Sequence, residues 1–435
     1  MEKDKTRCCS VCGTEGSHYR CECGNRDYCG PECQNSEWKE HRQECTWYLG
    51  KKLAERRKKL GKDDALIGES HFDIAAIHYE HGQYEEAERN LIEAKRIYAS
   101  VHNPEHPKVA DACSNLGSVY QEMGRYGDSL KMYGQALEIF RTDGDREEVA
   151  STLHNMGNVC WFQALLEEAV EHYVAALDIL YVIVGKEHAR VARSLGNVGV
   201  IYRELGRYDE SLKALESALK IHRVERGNDS EPVASSLLNI GTVFFEQGRY
   251  EEARVKYEES RGIYRRVHGQ KHPSVAWMLY NIAETYNKQN QLDQAISLHE
   301  KALKIRQQTL GEDNFEVGES VKVIAKILYY QGKDAESLAR FEEAAGIYER
   351  SLGADNVEVA RMQLSQALCK VLLGREESAI ADAKAAYRIF LLFGDDAAQE
   401  AQVALECIQG LEKGIDKLMS EFRAESKRKA AGSSK

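Results

Sequence analysis

Small and branched apolar residues recur at a fixed spacing through most of this chain. An isoleucine returns every 40 or 42 residues, at Ile97, Ile139, Ile179, Ile221, Ile263, Ile305, Ile347 and Ile389. A small residue stands three positions before each isoleucine, at Ala94, Ala136, Ala176, Ala218, Ser260, Ala302, Ala344 and Ala386. Residues three apart share one face of a helix, so the pairs predict a buried stripe along which two helices approach closely.

Each repeat also carries a turn signal. A glycine column consists of Gly82, Gly124, Gly206, Gly248, Gly332 and Gly374, and Ala164 and Asn290 occupy it in the two other repeats. Glycine is common where a helix ends with positive φ, and Asn is the next best tolerated residue. Five positions later comes a small residue, at Ala87, Ser129, Ala169, Ser211, Ala253, Ala295, Ser337 and Ala379. The pattern predicts eight units of helix, turn, helix and loop between about residues 69 and 402.

The repeats resemble a known family. The segments Asn115-Leu116-Gly117, Asn155-Met156-Gly157, Asn197-Val198-Gly199 and Asn239-Ile240-Gly241 recur in register, and His106-Pro107 and His272-Pro273 end loops. These features resemble tetratricopeptide repeats, and the period of about 42 residues, longer than the usual 34 or so, is similar to the kinesin-light-chain type. The resemblance implies an α-solenoid whose concave face, lined mainly by the first helix of each unit, holds an extended peptide.

Cysteines are concentrated at the amino end. Eight of the 12 lie between Cys8 and Cys45, and the four others, Cys113, Cys160, Cys369 and Cys407, are expected to be small buried hydrophobes. The candidate metal ligands are Cys9, Cys12, Cys21, Cys23, Cys29, Cys33, His41 and Cys45. Eight thiolate and imidazole ligands suit two tetrahedral structural Zn²⁺ sites, which leave no open position for catalysis. Cys8 is an alternative to Cys9, but the spacing to Cys12 favours Cys9.

The residues from Tyr28 to Cys45 resemble the second half of a MYND zinc finger, including Gln34 and Trp38. The resemblance implies cross-braced binding. One Zn²⁺ would lie on Cys9, Cys12, Cys29 and Cys33, and the other on Cys21, Cys23, His41 and Cys45. Only Glu22 separates Cys21 from Cys23, one residue fewer than is usual in the family, so the second site is the tighter one. The family further implies that Gln34 and Trp38 form a surface for short peptides, with local packing as the alternative for both.

A second peptide surface is expected on the repeats. The candidate residues are Asn115, Asn155, Asn158, Trp161, Asn197, Arg203, Asn239, Phe245 and Asn281. An amide both donates and accepts hydrogen bonds, so the asparagine column is able to clamp a peptide backbone. The alternative is that these amides bond to neighbouring repeats. Trp161 is either an aromatic anchor for a peptide or a residue that repacks the unit lacking its turn glycine.

Composition limits the possible binding partners and the cellular location. The net charge of -11 disfavours a general nucleic-acid binder, and the basic run from Lys51 to Lys59 is expected to be a solvated connector helix. No apolar run has the length of a membrane span, and the charged start lacks the apolar core of a signal peptide. We therefore expect a cytoplasmic protein, with the nucleus as a second option because of the basic segment Lys427-Arg428-Lys429 near the end.

The predicted protein is mainly α-helical and has five segments. These are a finger at 1–46, a basic helical connector at 47–68, the repeats at 69–402, a capping helix at 403–422 and a disordered basic tail at 423–435. Two interaction modules without a catalytic constellation indicate an adaptor that docks short peptide motifs of other proteins, and not an enzyme. The alternative is a MYND-containing protein resembling lysine methyltransferases, or a transcriptional regulator.

Overall fold

A computed structural model describes residues 19–20, 27–28, 46–60 and 63–413 of the chain. The chain divides into two compact bodies, Met1–Gly206 and Arg207–Lys435, and each is described by itself.

The first body contains one pair of short strands and eight helices within its described residues. Strands β1 (Tyr19–Arg20) and β2 (Asp27–Tyr28) pair antiparallel, with Tyr19 opposite Tyr28. The helices are α1 (Thr46–Leu60), α2 (Ala65–Glu80), α3 (Tyr84–Val101), α4 (Pro107–Glu122), α5 (Tyr126–Asp143), α6 (Arg146–Phe162), α7 (Leu166–Ile183) and α8 (Ala189–Glu204).

The described part of the second body contains ten α-helices and a short 3-10 helix at Gly394–Ala397. The α-helices are α9 (Tyr208–Arg226), α10 (Glu231–Glu246), α11 (Tyr250–His268), α12 (Pro273–Lys288), α13 (Leu292–Leu310), α14 (Phe315–Gln331), α15 (Asp334–Leu352), α16 (Val357–Leu372), α17 (Glu376–Leu392) and α18 (Ala398–Glu412).

Helices α2 to α7 and α10 to α17 form seven of the eight predicted helix-turn-helix units, while α8 and α9 are the two helices predicted for the remaining unit and belong to different bodies. The mainly α fold class is confirmed. In the first body α2 packs on α3, α4 on α5 and α6 on α7, and each hairpin also packs on the next. The second body repeats this arrangement from α10 to α17, and α18 packs on α17. The predicted capping segment 403–422 overlaps α18, and the domain limits given above remain predictions.

The turn between the two helices of a unit has the predicted left-handed backbone. Gly82, Gly124, Gly206, Gly248, Gly332 and Gly374 have φ between +69° and +77°. Ala164 and Asn290 adopt the same conformation, with φ of 58° and 59°. The hairpin geometry therefore forces a residue with a Cβ atom into a region that L-residues rarely occupy.

The core of each unit lies where its two helices cross. Every member of the small-residue column from Ala94 to Ala386 is buried, and so is every member of the column from Ala87 to Ala379. Three buried serines of these columns satisfy their hydroxyls on the facing helix. Ser129 Oγ donates to the Gly117 carbonyl at 2.7 Å, Ser260 Oγ to the Ala234 carbonyl at 2.8 Å and Ser337 Oγ to the Ala325 carbonyl at 2.9 Å. These columns are thus apolar apart from serines, and these three serine hydroxyls are satisfied.

The loop histidines noted in the sequence cap the following helices. His106 Nδ1 accepts a hydrogen bond from the Lys108 backbone N–H, and His272 Nδ1 does the same for Ser274, each at 3.2 Å. His188, which no proline follows, caps α8 in the same way at 3.1 Å from the Arg190 N–H. The imidazole takes the role that Asn, Asp or Ser has at most helix starts.

Candidate peptide-binding faces on the first helices

The predicted peptide-binding residues on the repeats all lie on the first helix of a unit. Helix α4 carries Asn115, α6 carries Asn155, Asn158 and Trp161, α8 carries Asn197 and Arg203, α10 carries Asn239 and Phe245, and α12 carries Asn281. Gln34, Trp38 and the eight predicted zinc ligands lie outside the described residues.

Two asparagines of the column are anchored to their own helices. Asn115 Nδ2 donates to the Asp111 carbonyl at 2.9 Å, and Asn281 Nδ2 donates to the Trp277 carbonyl at 2.8 Å. Each bond fixes the direction of the carboxamide, which still has a second N–H and an acceptor oxygen for a partner. Asn115 is exposed and Asn281 is half-buried.

Two other amides take part in packing between helices. The Tyr173 hydroxyl on α7 donates to Asn158 Oδ1, and Asn197 Nδ2 lies 3.5 Å from His154 Nε2 on the preceding first helix. Burial raises the pKa of Tyr173, which keeps its hydroxyl protonated as a donor. Asn197 therefore serves an inter-repeat contact, which the sequence left as the alternative, whereas Asn158 bonds to the second helix of its own unit.

A polar cavity of about 60 Å³ lies between α6 and α8, the first helices of consecutive units in the first body. Its lining residues are Ala150, Ser151, His154, Asn155, Leu180, Arg190, Arg193 and Ser194. Burial, together with the positive charges of Arg193 and Arg190, lowers the pKa of His154 to about 4. At neutral pH the imidazole is uncharged, and the charge on the cavity wall comes from the two arginines.

Trp161 belongs to a row of aromatic side chains at the carboxyl end of α6. Its indole Nε1 donates to Glu204 Oε2 on α8 at 2.9 Å, and its ring lies 6.0 Å from that of Phe162. Phe162 is 57% exposed and stacks on Tyr126 of the preceding unit at 6.1 Å. Arg203 lies 3.5 Å from Glu204. Trp161 is half-buried, so it contacts a neighbouring unit and also offers part of its ring to solvent.

A larger cavity in the second body was missed by the sequence analysis. It has a volume of about 260 Å³ and is lined by Trp277, Tyr280, Arg306, Glu316, Glu319 and Val323. Trp277 is 46% exposed and stacks on Tyr280 with ring centroids 5.5 Å apart. Arg306 is almost fully buried, donates to Ser320 Oγ at 2.7 Å and lies 5.6 Å over the Tyr280 ring.

A sequence signal for this cavity existed. Trp277 follows a Val-Ala pair, and the same column elsewhere holds polar or charged residues, namely Asp111, Ser151, Arg193, Ser235, Glu319 and Arg361. A large aromatic residue in a polar column is a departure that marks an exposed anchor. The predicted aromatic in this body, Phe245, is instead half-buried and packs edge-on against Tyr250 at 5.5 Å, and Asn239 is half-buried.

Comparisons with known proteins define the class of the repeats and of the segment at residues 9–45. A tetratricopeptide repeat model matches residues 66–142, 148–224, 232–308 and 320–391, which together are more than half of the chain. A MYND finger model matches residues 9–45. The chain belongs to the tetratricopeptide repeat family and carries a MYND finger at its amino end.

The relatives agree with this class. Over 139 residues the chain is 27% identical to the kinesin light chain-related protein 2 of Arabidopsis thaliana, a match that covers 32% of this chain and 21% of that protein. The chain thus spans about a fifth of that relative's length.

Two solved structures share the fold. The apo form of the quorum sensor NprR from B. thuringiensis gives a TM-score of 0.55 at 18% identity, over 81% of this chain and 99% of that one. A signal transduction ATPase with numerous domains and a tetratricopeptide repeat sensor, from Pyrococcus horikoshii, gives 0.53 at 16% identity, over 81% of this chain and 48% of that one.

The MYND family implies zinc binding, and the donor set of this chain fits it. Seven cysteines and one histidine between Cys9 and Cys45 provide the sulfur and nitrogen ligands that Zn²⁺ prefers. Within the described residues, no group of three or more His, Cys, Asp or Glu side chains is placed to hold a metal ion. Among the described helices, none is both long and apolar enough to cross a bilayer.

Proposed function

We propose that this protein is an adaptor that docks peptide segments of partner proteins on the first-helix faces of its repeats and on its zinc finger. The family assignments support an interaction module in general. The cavity around Trp277 supports the finer proposal, because an exposed indole beside a polar rim is the arrangement that anchors a peptide side chain.

The finger supplies the second contact in this proposal. Two Zn²⁺ ions hold the 9–45 segment, with Cys9, Cys12, Cys29 and Cys33 on one ion and Cys21, Cys23, His41 and Cys45 on the other. When bound, each ion has a structural role, because it replaces the apolar core that so short a segment lacks. Gln34 and Trp38 contact the partner. With two sites on one chain, binding at one raises the effective concentration at the other.

The methyltransferase alternative requires a large and mostly β catalytic region. The regular secondary structure of the described residues is helical apart from two strands of two residues each, and the repeat model accounts for most of residues 66–391. No observation on the described residues favours that alternative over the adaptor.

Photo-crosslinking on the full chain tests the docking face. A photoreactive phenylalanine analogue replaces Trp277 on α12 or, as the matched control, Val255 on α11, which is 62% exposed on a second helix. We expect one partner segment to be recovered repeatedly from position 277 and not from position 255.

A synthetic peptide with the recovered sequence then gives the decisive measurement. By calorimetry, Trp277→Ala is expected to weaken its binding to the full chain by about tenfold or more, while Val255→Ala leaves it unchanged. Equal labelling at both positions, or a peptide that binds the Trp277→Ala protein as well as the wild type, would reject the docking face.

A further inference from the structure

Several hydrogen-bond donors line the cavity between α6 and α8. Arg190 and Arg193 come from the first turns of α8, and Ser151 and Asn155 come from half-buried positions of α6. Ser194 is 1% exposed, and its hydroxyl lies 3.4 Å from His154 Nδ1. Side chains from two consecutive units thus surround one small space.

The two arginines of this cavity differ in their partners. Arg190 forms an ion pair with Glu147 at 2.5 Å and donates to Ser151 Oγ at 3.1 Å. Arg193 is exposed, and its guanidinium forms no hydrogen bond or ion pair with any described residue. The acidic residues at the start of α6 lie on the Arg190 side, so Arg193 is the cation of the cavity without a carboxylate.

The structural role of the cavity does not account for Arg193. Arg190 joins α8 to α6 through Glu147 and Ser151, and Asn197 contacts His154 on the same pair of helices. Those contacts hold the two units together without Arg193. An unpaired guanidinium beside a polar cavity is a binding element for an oxyanion, because its planar set of N–H groups matches two oxygens at once.

We propose that this cavity binds a tetrahedral oxyanion, of the kind that a phosphorylated side chain carries, between Arg190, Arg193, the Asn155 amide of α6 and the Ser194 hydroxyl of α8. The two guanidinium groups that line the space keep one net positive charge after the ion pair between Arg190 and Glu147, so the cavity attracts an anion. The oxygens of a tetrahedral anion also accept from more donors than a planar carboxylate reaches.

This inference deepens the docking proposal, since it rests on a partner peptide bringing the anion to the first-helix face. The anion site itself is tested with sulfate, a stable dianion that requires no knowledge of the partner. Sulfate binding and peptide crosslinking are separate measurements. A failure of one is therefore distinguishable from a failure of the other.

The measurement is a sulfate titration of the full chain with ¹³C-labelled histidine, followed by NMR at constant ionic strength. The His154 signal, assigned through its loss in His154→Gln, is expected to shift with saturation and a dissociation constant on the order of 1–10 mM, typical of a ligand with so few atoms. Arg193→Gln is expected to weaken binding by about tenfold, and because Arg193 is exposed and unbonded the variant keeps its fold.

The matched control is Arg265→Gln, which removes an exposed arginine from α11 in the other body and is expected to leave the titration unchanged. Acetate at the same ionic strength is the carboxylate probe and is expected to bind more weakly than sulfate. The proposal is overturned if sulfate produces no saturable shift at His154, if Arg193→Gln has no effect, or if acetate binds as tightly as sulfate.

Discussion

The tightest contacts in the units are made by single glycines on the first helix. A Cβ atom added at Gly117, Gly157 or Gly241 would lie 2.7–2.9 Å from the ring of Tyr133, Tyr173 or Tyr257 on the second helix. Real Cβ atoms essentially never approach a neighbour so closely. Close packing of the two helices therefore requires the glycine of the Asn-x-Gly segment. Its backbone is helical, so no unusual φ value requires a glycine there.

We predict that Gly241→Ala lowers the free energy of unfolding by about 1–3 kcal/mol, because the buried Tyr257 ring has to move. Gly134→Ala is the matched control, since Gly134 also lies inside a helix but an added Cβ would meet nothing within 4 Å. That substitution is expected to stabilise by about 0.5–1 kcal/mol through helix propensity. Urea unfolding followed by circular dichroism measures both, and equal effects of the two variants would contradict this account.

At the scale of elements, α1 covers the open end of the first unit. Leu49 and Leu53 of α1 form one buried cluster with Ile67, Ile74, Ile77 and Ile97. The basic run also contributes, because Arg56 donates to the Leu66 carbonyl at 2.5 Å and to Ser70 Oγ at 2.7 Å, and Arg57 contacts His71 Nε2 at 2.9 Å. Part of the positive charge is thus used to attach α1 to α2, as an end unit of a repeat array requires.

Leu53→Ala is predicted to loosen this end. The buried side chain is 8% exposed, and removing such a leucine costs about 2–5 kcal/mol where the surroundings cannot collapse. Hydrogen exchange by mass spectrometry is expected to show faster exchange in α1 and α2, with α12 unchanged, because repeat arrays open locally. Leu60→Ala, at a position 44% exposed, is the control, and faster exchange in that variant as well would argue against a specific cap.

At the scale of the whole molecule, we expect two different forces to fold the chain. The repeats are held by buried apolar residues that extend from Leu49 to Ile408. The 9–45 segment is expected to depend on Zn²⁺, at about 10–16 kcal/mol for each structural ion. We therefore expect Zn²⁺ to stabilise the 9–45 segment and apolar burial to stabilise the repeats.

Chelation of zinc is predicted to separate these two forces. Removing the metal with a strong chelator is expected to leave the far-ultraviolet helical signal and the main thermal transition nearly unchanged, while the metal content falls from two Zn²⁺ per chain to none. Native mass spectrometry counts the ions, and Cys21→Ser tests the second site alone. A collapse of the helical signal on chelation would show that the repeats also depend on the metal.

The sequence by itself determined the eight units, their turns and their small-residue columns. A 42-residue period repeats each local signal many times, so helix periodicity and turn chemistry agree in every unit. The two units without a glycine at the turn have the same turn conformation, because the geometry of the hairpin holds Ala164 and Asn290 at positive φ. Local patterns of this kind need no knowledge of distant contacts.

Only the tertiary structure decided which surface residues are available for binding. Asn197 occupies the same column as Asn115 in the sequence, yet it contacts His154 on another helix, and Asn158 is bonded to Tyr173. The cavities at Arg193 and at Trp277 likewise combine residues from consecutive units. Such sites depend on how one unit stacks on the next, and the periodicity of a single helix contains no information about the gaps between neighbours.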